Sequence, residues 1–447
     1  MTESRSRSLG PWRSWALVVG GTIGSYAFMM PAVLARFGGL GLVSLAAAAL
    51  GALFIALMFG NLSKRVTVSG GPYAYARAGF GDFGGFLIAW GYWISLWTAC
   101  AAMAIGFISY AGVLIPAIGR SPGLAIGTGL ALTWSVVAIN VAGVRESGIV
   151  GLITTILKLL PLIAIGTVGL FFVDMDKLPP MNPGSGSPAY VFASAFALTF
   201  WAFVGIEAVT VPSEDVVSPE KTVRRALLLG MLTITAIYLL INFATMGMIP
   251  AAELAASESP LADVGRLMAG SWGSTAVSVG ALISIAGAFN ITVLLAGQTA
   301  MAASRDQVFP ALFARLTKRN TPGAAYVIAG LLVSAMIIMS QSEGLVAGYT
   351  FVSLVSTLTA VIPYGFSALA ALILDVHDCN ISRGQRVREA VTAIIAFFVS
   401  MWVIASSGQE SVYWVFLLLM SGIPVYVIVT RNKALNTRAL AAVNETA

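Results

Sequence analysis

Two stretches decide how this chain folds: residues 20–25, which read GGTIGS, and residues 201–207, which read WAFVGIE. Each lies inside a long apolar run. A glycine lowers the stability of a helix interior by about 1 kcal/mol relative to alanine, so the three glycines of residues 20–25 make a weak point. The second stretch places Gly205 and the ionisable Glu207 within its own run. We therefore expect both runs to form interrupted helices.

The composition of the whole chain is that of a membrane protein. Of the 447 residues, 58% are hydrophobic and only 10% are charged, and the mean hydropathy is +0.89. A soluble domain carries about 25% charged residues, so lipid must cover much of this surface. A cytosolic enzyme, a secreted disulfide-rich domain and a disordered chain are excluded. The net charge of +6 does not predict nucleic-acid binding, because the basic residues lie in short segments between apolar runs.

Twelve apolar runs approach or exceed the roughly 20 residues that a helix needs to cross a bilayer. Ten contain no Asp, Glu, Lys or Arg, and the other two carry one charge each, Lys158 and Glu207. Alternation of apolar and polar residues is absent, which excludes a β-barrel. The sequence therefore predicts an all-α integral membrane protein with twelve transmembrane helices, named helices 1 to 12 in chain order. The runs are residues 14–35, 37–63, 83–119, 121–144, 147–173, 189–213, 226–252, 267–304, 320–342, 344–374, 390–409 and 411–430.

Lysine and arginine are distributed unevenly between the two sides of the predicted membrane domain. With the N-terminus in the cytoplasm, 20 of the 25 Lys and Arg residues fall in cytoplasmic segments, 4 fall in external loops and Lys158 lies within a span. This bias predicts a multi-pass protein of the cell inner (plasma) membrane with both termini in the cytoplasm. The loops are too short for a soluble domain, so residues 1–447 are expected to form one membrane domain.

The two predicted breaks lie in helices 1 and 6, and this spacing is typical of a five-plus-five inverted repeat. The first repeat would then cover residues 12–173 and the second residues 189–374, with helices 11 and 12 in residues 390–430. A broken helix in lipid leaves backbone groups that no water can satisfy. Its free N–H groups suit a carboxylate and its free carbonyls suit an ammonium. Close helix packing is the alternative reason for the glycines in these helices. Breaks at corresponding positions in helices 1 and 6, with Glu207 beside the second, favour a transporter instead.

Several short motifs resemble the amino acid–polyamine–organocation (APC) superfamily of transporters. The likeness runs from about Trp12 to Tyr426, and it is strongest to the bacterial arginine/agmatine, lysine/cadaverine and putrescine/ornithine antiporters. The motifs are Gly24-Ser25 followed by Pro31 in helix 1, GGPYAY at residues 70–75, WAFVGIE at residues 201–207 with SPEK at residues 218–221, AGQTA at residues 296–300, and Phe309-Pro310.

This resemblance implies a LeuT-type inverted-repeat fold with a binding site at the two helix breaks. It implies a carboxylate-binding serine at Ser25, a tryptophan gate at Trp201, and an inner gate of Tyr92, Glu207 and Tyr364. Helices 11 and 12 would lie outside the core and form a homodimer. The implied substrate-binding residues are Thr22, Gly24, Ser25, Tyr26, Cys100, Trp201, Gly205, Thr292 and Ser356.

The sequence departs from the resembling antiporters at three of these positions. Tyr26 stands where family members have glycine, and we expect its phenol to crowd a carboxylate at the backbone. Thr292 replaces an aromatic residue that stacks on the arginine side chain, and Cys100 replaces an asparagine that reaches the guanidinium. The cation–π support for a guanidinium is therefore missing, so arginine specificity does not follow from the resemblance.

Two charged residues lie within the apolar spans. A buried acid in a membrane span is costly and marks a functional site. We therefore expect Glu207 to balance a cationic substrate or to titrate during transport. The alternative is a structural carboxylate held by Tyr92 and Tyr364. Lys158 resembles the ammonium that takes the place of a sodium ion in some members of this superfamily. Its alternative is a side chain that extends to the membrane interface.

The sequence thus predicts a secondary active amino acid transporter, an antiporter that exchanges a cationic amino acid for an amino acid or its decarboxylated amine by alternating access. The alternatives are a sodium-independent neutral or broad-specificity exchanger, a proton-coupled symporter and, less favoured, a channel. No catalytic constellation, metal-ligand spacing or nucleotide loop occurs, so neither an enzyme nor a cofactor nor a metal is expected. The expected partners are a small-molecule substrate, the lipid bilayer and a second copy of the chain.

Overall fold

The computed structural model describes residues 9–143, 148–183, 186–340, 345–377 and 382–445. Within these ranges the chain is helical apart from turns and one isolated β-bridge. Eleven helices are long and apolar enough to cross a membrane, and one bent helix pair completes the twelve crossings. The predicted all-α fold with twelve spans is confirmed. Residues 1–8, part of the predicted cytoplasmic N-terminus, lie outside the described residues.

Helices 1 and 6 are interrupted, as the glycine pattern predicts. Helix 1 consists of Pro11–Thr22 and Tyr26–Ala35, which meet at a bend of 42°. Helix 6 begins as Pro188–Phe200 and continues in two short 3-10 turns, Trp201–Phe203 and Ile206–Thr210. The other crossings are Gly39–Arg65 (helix 2), Pro72–Leu114 (helix 3), Pro122–Val141 (helix 4), Gly148–Thr167 (helix 5), Pro219–Met248 (helix 7), Pro260–Arg305 (helix 8), Gly323–Ser340 (helix 9), Leu345–His377 (helix 10), Arg383–Ser406 (helix 11), and Gln409–Met420 with Gly422–Glu445 (helix 12).

The two longest apolar runs contain more than one crossing needs. Helix 3 begins with an extra segment before a kink at Gly81, where φ is +75°, and a separate short helix, Pro116–Arg120, follows its end. Helix 8 has its kink at Gly270, where φ is +64°. Glycine adopts these positive φ angles without the steric clash that a Cβ would cause. The kink of helix 3 therefore separates the crossing from a segment that precedes the apolar run, and the short helix Pro116–Arg120 contains the end of that run. The kink of helix 8 leaves only the first residues of its run before it.

The interrupted helices lie at the centre of the molecule, and helices 11 and 12 lie at its edge. Helix 1 packs against helices 5, 6, 7 and 8. Of the most apolar part of each crossing, only 17% of the residues are buried within the protein in helix 12, compared with 83% in helix 3. At the end of the molecule where helix 1 begins, Leu9 and Val216 form the β-bridge through two backbone hydrogen bonds, Leu9 N–H to Asp215 O and Val217 N–H to Leu9 O. The start of helix 1 is thereby tied to the segment after helix 6.

Candidate functional site

The break in helix 1 frees backbone carbonyls, and side chains of neighbouring helices take them. Ile23 has extended backbone angles (φ −78°, ψ 90°), which stops the helix after Thr22. The Lys158 ammonium on helix 5 donates to the carbonyl of Gly20 at 2.5 Å and to that of Ile23 at 2.9 Å. Tyr238 on helix 7 donates its hydroxyl to the Thr22 carbonyl at 3.2 Å. Lys158 is only 4% exposed, so its charge is stabilised by these carbonyls rather than by water.

The break in helix 6 frees backbone N–H groups, and a carboxylate of the same segment takes one of them. Gly205 has φ +103° and ψ −8°, a left-handed conformation that favours glycine. Its N–H donates to Glu207 Oε2 at 3.1 Å. A Cβ added at Gly205 would lie 3.3 Å from the Gly21 carbonyl oxygen. The two broken helices therefore touch backbone to backbone, with Gly21 on one and Gly205 on the other.

Glu207 is the centre of a buried hydrogen-bond cluster. Its side chain is 1% exposed, and Tyr92 on helix 3 donates to Oε1 at 2.8 Å. Tyr364 on helix 10 donates to Oε2, the oxygen that also accepts the Gly205 N–H. Three donors thus converge on one carboxylate, a strong, charge-assisted arrangement. The grouping of Tyr92, Glu207 and Tyr364 that the family resemblance implies is present in the structure.

A small cavity lies between the two breaks. Its volume is about 30 Å³. This holds one or two waters and is far less than an amino acid needs. The cavity is therefore too small to hold an amino acid in this structure. Its walls are formed by Gly21, Thr22, Gly24, Ser25, Tyr26, Ser95, Leu96, Ala99, Met103, Trp201, Val204, Gly205, Glu207, Ala208, Thr292 and Leu295.

Most of the predicted site residues meet at this cavity. Eight line it: Thr22, Gly24, Ser25, Tyr26, Trp201, Gly205, Glu207 and Thr292. Cys100 and Ser356 are buried but are not among the lining residues; the Ser356 hydroxyl instead donates to the Ser95 carbonyl at 2.8 Å. Sequence reasoning missed the helix 3 residues Leu96, Ala99 and Met103, because small and apolar side chains in an apolar helix look like ordinary packing residues.

The Tyr26 phenol is buried on the cavity wall. Its ring packs on the Tyr238 ring at a centroid distance of 4.7 Å. Its hydroxyl and that of Thr22 are buried and have no hydrogen-bond partner within the described residues. A buried hydroxyl without a partner is costly. The cavity therefore has two hydroxyl groups available to a polar ligand.

On the side of the cavity away from Glu207, the structure reveals one residue that sequence reasoning missed entirely. Tyr349 on helix 10 accepts a hydrogen bond from Trp201 Nε1 at 3.2 Å and one from Ser25 Oγ at 3.4 Å. Tyr349 and Tyr364 lie on the same helix, about 22 Å apart along its axis at 1.5 Å per residue. Each of these tyrosines bonds residues of the cavity wall, Tyr349 at Ser25 and Trp201 and Tyr364 at Glu207. The neighbours of Tyr349 form no motif that would have identified it.

Comparison with known proteins gives a consistent family. The sequence model of the amino acid permease family matches residues 9–430. The chain is 30% identical to the "Arginine/ornithine antiporter" of Pseudomonas aeruginosa, over 92% of this chain and 88% of that protein. It is 27% identical to the "Arginine/agmatine antiporter" of Chlamydia pneumoniae, over 96% and 91% of the two chains. It is also 27% identical to the "L-lysine transport protein" of Corynebacterium glutamicum, over 92% and 87%.

The family match covers the first eleven crossings, most of the membrane-spanning part of the twelfth, both helix breaks and every residue of the cavity wall. The twelve-helix membrane fold, the interrupted first and sixth helices and the extent of the match agree with one another. This chain belongs to the amino acid permease family of the APC superfamily.

Proposed function

We propose that this protein is a secondary active antiporter that exchanges a cationic amino acid for another amino acid or its decarboxylated amine. The observation that carries the proposal is the cavity between the helix 1 and helix 6 breaks, whose wall is formed by residues of both broken helices. The relatives named as arginine/ornithine and arginine/agmatine antiporters cover nearly the whole chain, which supports an exchanged substrate of this class.

The polar groups around the cavity suit an amino acid. Ser25 stands at the start of the second half of helix 1, where free N–H groups and the positive end of the helix dipole favour a carboxylate. The unpartnered hydroxyls of Thr22 and Tyr26 add donors for the same carboxylate. Glu207 is the carboxylate on the cavity wall within the described residues, and its negative charge favours a cationic side chain.

Alternating access requires that each side of the cavity open in turn. Trp201 and Tyr349 close one side, and Tyr92, Glu207 and Tyr364 close the other. We infer that helices 1 to 5 and 6 to 10 form the two inverted repeats, residues 12–173 and 189–374, and that they move against each other during exchange. The helix breaks at corresponding positions support this inference.

Lys158 supports transport without sodium. Its ammonium binds the Gly20 and Ile23 carbonyls, which are the kind of oxygen ligands that a monovalent cation would take at an unwound helix. A fixed positive charge in that position repels a second cation. We therefore propose that the exchange is sodium-independent.

The protein is a multi-pass membrane protein, and its placement can be proposed in more detail. The excess of Lys and Arg on one side supports an inner-membrane protein with both termini in the cytoplasm. Helices 11 and 12 carry exposed aromatic side chains, including Phe398, Trp402 and Trp414. We propose that these peripheral helices form a homodimer contact.

Counterflow in liposomes tests the proposed exchange. Purified protein is reconstituted into vesicles loaded with unlabelled arginine, ornithine, lysine, agmatine or alanine, and uptake of labelled arginine is measured. We expect uptake only when a substrate is present inside. Uptake into empty vesicles at the same rate, or a steady ionic conductance, would contradict exchange; preference for alanine over all cationic substrates would contradict the substrate class.

A matched pair of tryptophan variants connects the assay to the cavity. Trp201→Leu removes the indole that lines the cavity and bonds Tyr349, and we expect most of the exchange to be lost in a protein that still folds. Trp272→Leu changes a tryptophan of helix 8 that is 75% exposed and should leave exchange unchanged. If Trp201→Leu exchanges at the normal rate and affinity, Trp201 is not part of the site.

A further inference from the structure

We propose that Tyr349 is the latch that holds the cavity shut on the side away from Glu207, and that the substrate releases this latch by taking the Ser25 hydroxyl. The second half of this inference rests on the proposed function, since it needs an amino acid as the ligand. Neither the sequence motifs nor the comparisons assign a role to Tyr349.

Tyr349 connects the three elements that must separate for this side to open. Its hydroxyl oxygen accepts from Ser25 at the helix 1 break and from Trp201 at the helix 6 break, while Tyr349 itself belongs to helix 10. The side chain is fully buried. One phenolic oxygen thus joins both broken helices to an unbroken neighbour, and its bond to Trp201 must break when Trp201 moves aside to admit a ligand.

The Ser25 hydroxyl has a single proton, and this makes the latch sensitive to substrate. In the closed structure Ser25 donates that proton to Tyr349. A carboxylate bound at the start of the second half of helix 1 would attract the same donor, and a charged acceptor forms the stronger bond. Ser25 can donate to only one of these acceptors at a time, so a bound carboxylate takes the proton that Tyr349 now accepts, and the Ser25–Tyr349 contact then persists only if Tyr349 turns its own hydroxyl proton toward Ser25. The Ser25–Tyr349 distance of 3.4 Å is long for a hydroxyl hydrogen bond, which makes the exchange of partners easy.

The surroundings of Tyr349 favour this exchange of partners. Tyr26 and Thr22 line the same cavity, and their buried hydroxyls have no partner within the described residues. An arriving carboxylate satisfies these donors at the same time as it draws Ser25 away. The empty closed state is thus held by the Tyr349 bonds, and the loaded state is held by the hydroxyls that the empty state leaves unused.

The latch can be tested without knowing the substrate, by measuring access to the cavity. The two native cysteines, Cys100 and Cys379, are replaced by alanine, and Ala99→Cys places a thiol on the cavity wall. Intact cells are treated with a membrane-impermeant methanethiosulfonate reagent. Tyr349→Phe keeps the ring and removes only the hydroxyl. We expect it to increase the labelling rate about tenfold, the scale of one or two net hydrogen bonds. Tyr413→Phe, a lipid-facing tyrosine that is 59% exposed, serves as the control and should not change the rate.

Equal labelling rates for the Tyr349→Phe variant and its parent would overturn the latch. If Tyr349→Phe fails to fold, Ser25→Ala removes one of the same hydrogen bonds and decides the question by the same measurement, with a smaller increase expected. This result stands whether or not arginine is exchanged in liposomes, so failure of the proposed function and failure of the latch can be told apart.

The substrate-release step has its own readout in the exchange assay. Tyr349→Phe leaves the Ser25 proton without a competitor, so we expect the KM for arginine to fall several-fold while leak from loaded vesicles into substrate-free medium rises. Ser25→Ala should raise the KM instead. A damaged cavity would raise the KM in both variants, and an unchanged or raised KM in Tyr349→Phe would overturn the competition for Ser25.

Discussion

Replacing Glu207 by glutamine separates its charge from its hydrogen bonds. In the native structure three donors reach the carboxylate: Tyr92, Tyr364 and the N–H of Gly205. The oxygen of the introduced amide can keep the bonds from Tyr364 and Gly205, and the Tyr92 hydroxyl can rotate to accept from the amide nitrogen. The substitution therefore preserves the shape and the number of hydrogen bonds, while it removes the negative charge from the cavity wall.

The structure predicts that this change has little effect on stability. Hydrogen bonds to a charged group contribute about 1.5–3 kcal/mol each and neutral ones about 0.5–1.5, so three weakened bonds cost about 3–4 kcal/mol. The carboxylate, however, loses several kcal/mol of hydration on burial, which the amide avoids. The two effects nearly offset, and we expect the thermal midpoint in detergent to change little. Glu207→Ala, in contrast, leaves three buried donors unpaired at about 1–3 kcal/mol each and should destabilise the protein strongly.

Exchange, rather than stability, should reveal the role of the charge. We expect Glu207→Gln to lose most of its exchange rate or its pH dependence between pH 5 and 8, and to bind a cationic ligand more weakly while a neutral ligand is affected less. Tyr92→Phe is the matched control, because it removes one bond and keeps the charge. If the pH profiles and substrate affinities of the glutamine variant and the native protein coincide, Glu207 is only a structural acceptor and the cationic-substrate proposal loses its main residue.

Two further predictions concern the helix breaks. Gly205→Ala places a Cβ at φ +103° and 3.3 Å from the Gly21 carbonyl oxygen. The left-handed conformation alone costs about 1–2 kcal/mol, so we expect a lower thermal midpoint and slower exchange. An unchanged midpoint would contradict the observed backbone. Lys158→Met leaves two carbonyls without their ammonium donor, which we expect to destabilise the fold by about 3–6 kcal/mol. Native exchange should be the same in sodium and in choline; a strict sodium requirement would contradict the proposed role of Lys158.

The fold could be predicted in detail because each of its determinants is local in the sequence. Span number follows from uninterrupted apolar runs, and the two interruptions follow from glycines in residues 20–25 and 201–207. The place where helix 1 stops was less clear. The helix continues through Gly20 and Gly21 to Thr22, and the break begins at Ile23. The carbonyl freed at Ile23 accepts from the ammonium of Lys158, which is distant in sequence and close in space.

The cavity was predictable only where a motif or a charge identified it. The contacts of Glu207 with Tyr92 and Tyr364 agree with the family resemblance, but the conformation of Tyr26 does not follow from the sequence. Whether its phenol crowds a carboxylate at the backbone stays a prediction; the structure adds that the ring packs on Tyr238. That arrangement needs helix 7 beside helix 1, a tertiary contact that no local pattern encodes. Tyr349 was missed for the same reason, since its partners lie on two other helices.

The two charges buried in the membrane domain complement the two breaks. The helix 1 break frees carbonyls, which a positive ammonium satisfies, and the helix 6 break frees an N–H, which a negative carboxylate satisfies. Neither broken helix therefore depends on substrate for its stability, and Lys158 and Glu207 together add no net charge to the membrane interior. What the empty site still lacks is a partner for the Thr22 and Tyr26 hydroxyls. In the proposed function a substrate meets these hydroxyls, the free N–H groups at the start of the second half of helix 1 and the charge of Glu207 on the cavity wall.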